Sequence, residues 1–388
     1  MAVAGTGPAG LMAAQGAAEG GLRVAVFEKR PSAGRKLLIA GSSGLNVTFD
    51  LPLGEAESHF VPADRMRPFL RAFPPAAWLS FVERLGVKTF RGTSRRWFVE
   101  GMKTPPLLAA WMTSLRARGV TFTFERECCG FESREDGVAL RFTDGSRVEA
   151  AAAVLCLGGA SWEKSPSSIP GIFERQGLTF EPFRASNAGF QVPWPAVLLA
   201  EAEGKPVKNV VLTSSRGSRA GDLVITAYGL EGTPVYAVGE VETVHIDLKP
   251  DLKLEQVVTR LRAPRENLSP MRRAKRTLKL GEGGLALLYH LAPPPAHTDI
   301  DALAAYVKAL PVTLQARQPL EEAISSAGGL SWDELDDTLM LKRAPGIFAA
   351  GEMIDWDAPT GGFLVQGCVS SGWVAGRSAG AWVEHRTS

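Results

Sequence analysis

The chain has 388 residues, which at roughly 150 residues per domain makes room for two or three domains. Hydrophobic residues make up 45% and charged residues 22%, ordinary globular usage that excludes wholesale disorder. Lys and Arg number 43 against 41 Asp and Glu, a formal charge of +2 that excludes a dedicated nucleic-acid coat but not a local basic face.

In chain order, residues 1–4 read as a short apolar strand, Gly5 to Gly10 as a glycine turn, and 11–19 as a stretch of helix formers. Residues 22–27 form a β-branched, apolar strand ending at Glu28, which completes one βαβ opening. Helical patterns follow at 65–73, 76–85 and 106–118. Strand-like runs follow at 120–125, 138–142 and 148–156, with Asp144-Gly145 as a hairpin signal between the last two. Between 187 and 316 the composition shifts. Alternating stretches at 207–213, 223–228 and 241–248 predict strands, with a basic helix over 269–280 and a proline run at 293–295. After Pro319 the α/β character returns, with a helix near 320–325, an apolar run at 346–350 and one long helix over 363–383. The expected architecture is an α/β, Rossmann-type domain formed by 1–186 and 317–388, interrupted by an inserted β-rich second domain at 187–316.

No apolar run approaches the ~20 residues of a membrane span. The first residues lack a basic segment followed by a long apolar one. Cys128, Cys129, Cys156 and Cys368 form no CxxC pair and have no His at metal-ligand spacing. These features predict a cytoplasmic protein with free thiols, no metal and no membrane partner.

Gly5, Gly7 and Gly10 form a GxGxxG pattern, with Pro8 and Ala9 inside it. The first glycine permits a tight turn, the second lets backbone approach a pyrophosphate, and the third allows close helix–strand packing. Glu28, with Lys29 beside it, follows Gly10 at the spacing of a ribose-binding carboxylate. The next segment separates FAD from NAD. Arg35 and Lys36 follow Gly34, and a second glycine loop holds Gly41, Ser42, Ser43, Gly44 and Asn46. An extended dinucleotide would run past this loop, where amides and the two cations meet phosphate or a flavin ring; a solvated surface turn is the plainer alternative.

With these segments the chain resembles the flavoproteins of the HI0933-like type, a group of NAD(P)/FAD-dependent oxidoreductases that includes aminoacetone-oxidase-like proteins. The resemblance also rests on Gly158 and Gly159 with Ala160-Ser161-Trp162, on Ala327-Gly328-Gly329, and on Gly351-Glu352-Met353-Ile354-Asp355 with Gly361-Gly362-Phe363. It implies an FAD-binding fold of the two-dinucleotide-binding-domain class. It further implies that Glu352, helped by Asp355, meets a ribityl hydroxyl, and that the helix opening at Gly361, Gly362 and Phe363 faces the flavin N1–C2=O2 edge. Cys128 lies on a strand resembling the one whose backbone meets adenine. The chain departs from the family where Arg-Cys usually precedes the asparagine. Here Ser42, Ser43, Gly44 and Leu45 stand before Asn46, so no role of that Arg or Cys carries over.

The function these features imply is an FAD-dependent oxidoreductase working by hydride transfer through flavin N5, with NAD(P)H as a candidate donor and a small molecule as substrate. A second nicotinamide motif is missing, because Gly217 to Gly221 lacks a strand–helix context. Two alternatives stay open: an RNA-modifying flavoenzyme and a non-catalytic FAD-binding protein. Arg272, Arg276 and Lys279 fall at i, i+4, i+7 spacing, either as a solvated face or as an RNA contact. Tyr228 and Tyr236 are either core tyrosines or proton donors.

Overall fold

Ala2–Ala4 (β1) is three small apolar residues buried on both faces, the pattern of a strand inside a parallel sheet. It takes the centre of five parallel strands in the computed structural model, which describes residues 1–42, 44–92, 95–163, 167–263 and 267–387. Ala25–Phe27 (β2) and then Thr121–Thr123 lie to one side; Ala153–Leu155 and then Ile347–Ala349 lie to the other. The chain therefore reverses its direction of travel across the sheet at β1. A crevice opens beyond the carboxyl ends of the strands at such a reversal.

Pro8–Glu19 (α1) connects β1 to β2 and starts three residues before the stretch of helix formers. Proline at its first position gives up an N–H that has no helical partner anyway. Most of α1 is buried, and it packs along the C-terminal helix Phe363–Thr387. The two backbones nearly touch: a Cβ on Gly372 or Gly376 would lie 2.3 or 2.2 Å from the carbonyl oxygens of Ala9 and Ala13. Arg35–Ala40 (α2) and Asn46–Phe49 (β3) follow β2. β3 joins Arg96–Val99 and Thr89–Arg91 in a small antiparallel sheet.

The run 148–156 is two strands, not one. Arg147–Ala150 closes an antiparallel sheet with Gly137–Phe142 and Cys128–Arg134, and the chain then enters the parallel sheet as Ala153–Leu155. Unbroken alanines bridge the two, so hydrophobic pattern carries no mark of the break.

Contacts divide the chain into two compact units, Met1–Arg184 with Ile324–Ser388, and 185–323. The second is built on a six-stranded antiparallel sheet in the order Phe190–Gln191, Gly229–Glu231, Gly217–Thr226, Pro206–Ser214, Thr243–Asp247, Leu310–Thr313. Its buried core joins Leu212, Leu223, Val244 and Ile246 from strands with Val257, Leu287 and Val307 from helices. The sheet accounts for the strand-like composition, but helices accompany it. Gly281–Leu291 is one of them, hidden in the sequence by the glycines of its first turn. The helix near 320–325 is only a 3-10 turn, Leu320–Glu322. The basic helix is shorter than its pattern, Pro270–Thr277, and Lys279 lies beyond its end with φ +52°. Lys279 therefore does not continue the face of Arg272 and Arg276.

Candidate functional site

A cleft with about 800 Å³ of empty space, open to solvent, lies at the carboxyl ends of β1, β2 and Ala153–Leu155. The glycine turn forms its floor. Gly5 takes φ +106°, and a Cβ there would sit 2.1 Å from the Cys156 carbonyl oxygen; a Cβ on Gly10 would sit 2.1 Å from the Gly5 oxygen. Gly7 differs. Nothing lies within 4 Å of where its side chain would start, so the N-terminus of α1 faces open space. Pro8 and Ala9 complete that first turn.

Glu28 stands at the end of β2 and lines the cleft. Its Oε2 accepts from the Thr6 backbone N–H at 2.9 Å and from the Thr6 hydroxyl, and its Oε1 accepts from the Arg30 N–H at 2.9 Å. These bonds aim the carboxylate and leave one lone-pair site, on Oε1, open to a further donor. Thr6 also accepts from the Gly34 N–H at 3.3 Å, tying the turn to the start of α2. GxGxxG leaves Thr6 unspecified, so no sequence signal singled it out. Lys29 and Arg30 both pair with Glu163, at 3.2 and 2.7 Å. Burial pushes the Glu163 carboxyl up, but Lys29, Lys36 and Arg30 outweigh it and hold it below the usual range. Arg35, Lys36, Gly158 and Cys128 also line the cleft, with Ile169 and Ile172 as an apolar wall. Burial raises the Cys128 thiol to about 11, so it stays protonated.

Lys36 links this cleft to the last parallel strand. Its Nζ donates to the Gly159 carbonyl at 2.7 Å, and the Gly159 N–H donates to the Glu352 side chain. Burial pushes the Lys36 ammonium down and the Glu352 carboxyl up, and the charge of each opposes the shift of the other. Gly351 takes φ +83°, and its N–H donates to Ser371 Oγ at 3.1 Å. Cys368, beneath Glu352, and Cys156, beneath the turn, are buried thiols pushed well up.

The remaining predicted residues gather around β3 and the start of the C-terminal helix, outside the cleft lining. Gly362 takes φ +98°, and a Cβ on it would strike the Thr48 backbone at 2.6 Å. Thr48 Oγ1 donates to Gln366 Oε1 at 2.8 Å. Phe363 stacks on Phe49 with centroids 4.4 Å apart, so its ring is a packing group. A Cβ on Gly361 would meet Arg96 Nε at 2.7 Å. Gly41 is pressed against Thr104 and Gly44 against Met102, Ser42 is exposed, and Ser43 lies outside the described residues. Asp355 lends its backbone, donating to the Leu330 oxygen and accepting from Trp332 Nε1. The Oδ1 of Asn46 is buried with no hydrogen-bond partner among the described residues, and so is Ser161 Oγ. A buried orphan acceptor at the start of β3, together with the open N-terminus of α1, fits a bound polar group.

In the second unit, Tyr228 donates to Glu231, and Tyr236 shares the same carboxylate. Burial, reinforced by that carboxylate, pushes both phenols up. Among the described residues no group of three or more His, Cys, Asp or Glu is placed to hold a metal, and no helix is long and apolar enough to cross a membrane.

Residues 1–378 match the family model of the HI0933-like protein Rossmann domain. The chain belongs to that family. This HI0933-like protein is a flavin-dependent oxidoreductase. It is 23% identical over 408 residues to the 3-dehydro-bile acid delta(4,6)-reductase of Clostridium scindens, an alignment covering 97% of this chain and 98% of that one. It is 25% identical over 390 residues to the ribosomal RNA dihydrouridine synthase of Escherichia coli, covering 96% and 95%. Among solved structures, the 3-ketosteroid delta1-dehydrogenase of Sterolibacterium denitrificans superposes with a TM-score of 0.52 at 12% identity, covering 98% of this chain and 99% of that one. That last likeness is one of fold.

Proposed function

We propose that this HI0933-like protein binds FAD along the cleft and transfers a hydride to a carbon–carbon double bond conjugated to a carbonyl, with NAD(P)H as reductant. The observation that carries the reading is the open N-terminus of α1 at Gly7 beside the backbone-aimed carboxylate of Glu28. The substrate class is supported by the names of the two relatives, which share the saturation of such a bond in otherwise unlike molecules.

In this reading the N–H groups from Gly5 to Gly10 hold the pyrophosphate. Glu28, with Lys29 beside it, holds the adenosine ribose, and Cys128 and Gly158 wall the nucleotide. Arg35, Lys36, Gly41, Ser42, Gly44, Asn46 and Gly159 follow the dinucleotide towards its flavin end. Gly351, Glu352 and Asp355 take the ribityl chain, and the helix opening at Gly361, Gly362 and Phe363 sets its positive end at the flavin pyrimidine edge. Bound FAD supplies a hydride donor and acceptor at N5. Residues 1–186 with 317–388 are the cofactor domain, and 187–316 serve the substrate. Four free thiols support a reducing, cytoplasmic setting.

The purified protein should be yellow with non-covalent FAD. Under anaerobic conditions NADH or NADPH should bleach it, and a small cyclic enone should restore the colour. A colourless protein that takes up no FAD on reconstitution overturns the reading; a flavin that neither nicotinamide reduces removes NAD(P)H as donor. A second reading, reduction of a uridine within RNA, has support of its own in the basic side chains of the second unit and in the Escherichia coli relative. In that case RNA, not the enone, should reoxidise the flavin.

A further inference from the structure

The unit 185–323 holds a cleft within itself, with about 930 Å³ of empty space open to solvent. Lys205, Lys208, Lys249 and Lys279 line it, against one carboxylate, Glu282. Three separate pieces of chain supply these charges. The strand Pro206–Ser214 is bulged between Val207 and Val210, which takes Lys208 and Asn209 out of the ladder. Asn209 adopts φ +53°, and its N–H is held by Asp222 Oδ1 at 2.8 Å. Lys249 follows the strand Thr243–Asp247. Lys279 follows the basic helix in a left-handed conformation, and Glu282 opens the next helix.

Two of the four lysines are already matched. Lys205 lies 2.7 Å from Glu282, and Lys249 lies 3.1 Å from Asp251. Lys208 and Lys279 are exposed and make no ion pair with a described residue. The positive surface extends past the cleft: Lys275, on the basic helix, is near enough to lower the Glu282 carboxyl after Lys205 has done so. Arg272 and Arg276 stand exposed on that same helix. A chain of net charge +2 has thus collected a local band of cations on one unit.

The kind of partner follows from what the band lacks. The large apolar side chains exposed on this unit are Val197, Val241, Leu254 and Tyr289; none lines the cleft or belongs to Pro270–Thr277. A membrane-surface site would present such residues among its cations. A concave band of lysine point charges without an apolar rim instead suits a flexible strand of phosphodiesters.

We propose that this cleft seats the backbone of single-stranded RNA, with Lys208 and Lys279 as its principal phosphate contacts. The proposal rests on the second reading above, in which RNA carries the reduced base.

The test uses the full-length protein with its flavin and a fluorescein-labelled oligouridylate followed by anisotropy across a potassium chloride series. Lys208→Gln with Lys279→Gln should weaken binding about tenfold at moderate salt. It should also make the slope of log affinity against log salt shallower by about 1.4, the value for two lost contacts to a single strand. Lys88→Gln with Arg118→Gln removes the same net charge from exposed positions of the other unit and should leave affinity and slope as in the parent. The visible spectrum, read in every sample, should stay unchanged. No salt-dependent RNA binding by the parent, equal losses in both double variants, or no loss in the first would overturn the proposal. So would loss of binding to phosphatidylserine vesicles in the first variant with RNA affinity intact. A protein without flavin whose RNA slope still responds to Lys208 and Lys279 would sink the oxidoreductase reading and leave the cleft standing.

Discussion

Gly7 and Gly10 stand three residues apart, and a side chain at each would do different damage. At Gly10 a methyl group would meet the Gly5 carbonyl oxygen at 2.1 Å, a backbone collision that only movement of α1 away from β1 relieves. At Gly7 there is free room. Gly10→Ala should therefore cost about 3 kcal/mol of stability, seen as a lower denaturation midpoint even without flavin. Gly7→Val should leave the flavin-free midpoint near the parent's while abolishing FAD uptake. Glu28→Ala should weaken FAD by about 1–3 kcal/mol through lost charge-assisted acceptors. Normal flavin content in Gly7→Val would mean that the turn is structural only. A different residue should contribute to acid stability. Glu57 is buried, accepts from Arg71 Nε at 2.7 Å and from Arg67 Nε at 3.2 Å, and is held below the usual carboxylate range chiefly by Arg71. A carboxyl depressed in the folded state stabilises fully above its unfolded value of about 4.3 and loses that contribution as pH falls through the folded value. Glu57→Gln should thus cost stability at pH 7, on the order of 2 kcal/mol, and show a flatter decline below about pH 4. Parallel acid limbs in parent and variant would refute this assignment.

At the scale of elements, the contact between α1 and Phe363–Thr387 carries the greatest leverage over the site. Gly372 and Gly376, one helical turn apart, let the last helix lie against the Ala9 and Ala13 carbonyls. Bulk there pushes the two helices apart, and α1 opens onto the cleft at its first turn. Gly376→Val should lower the melting midpoint by the equivalent of about 3 kcal/mol, and flavin retention should fall with it, although residue 376 lies several helical turns beyond Phe363 and is not itself a proposed cofactor contact. A variant that melts early yet keeps its full flavin would show that the first turn of α1 is held by β1 alone. The same pairing explains why α1 has so many small residues: close backbones leave no room for large side chains.

Across the whole molecule, legibility followed sequence distance. The glycine turn and Glu28 are a local matter of backbone sterics and one short strand, and the sequence displays both. The Lys36–Gly159–Glu352 link joins residues more than a hundred positions apart, and Thr6 occupies a position that its motif leaves blank. No local pattern announces either. The break at Ala151-Ala152 was hidden because alanine suits both the strand that ends and the strand that begins. Lys279 falls outside the helix that its spacing predicts, because charge spacing says nothing about where a helix stops; Leu278 and a left-handed turn end it.

The position of β1 has one more consequence. One of its partners, Ala153–Leu155, is synthesised about 150 residues after it, and the strand beyond that, Ile347–Ala349, later still, just ahead of the helix that braces α1. The unit 185–323, by contrast, is one uninterrupted stretch. On the ribosome the unit 185–323 can close before the parallel sheet is complete, and β1, paired early with β2, must wait for Ala153–Leu155 on its other edge and for the helix Phe363–Thr387 that braces α1.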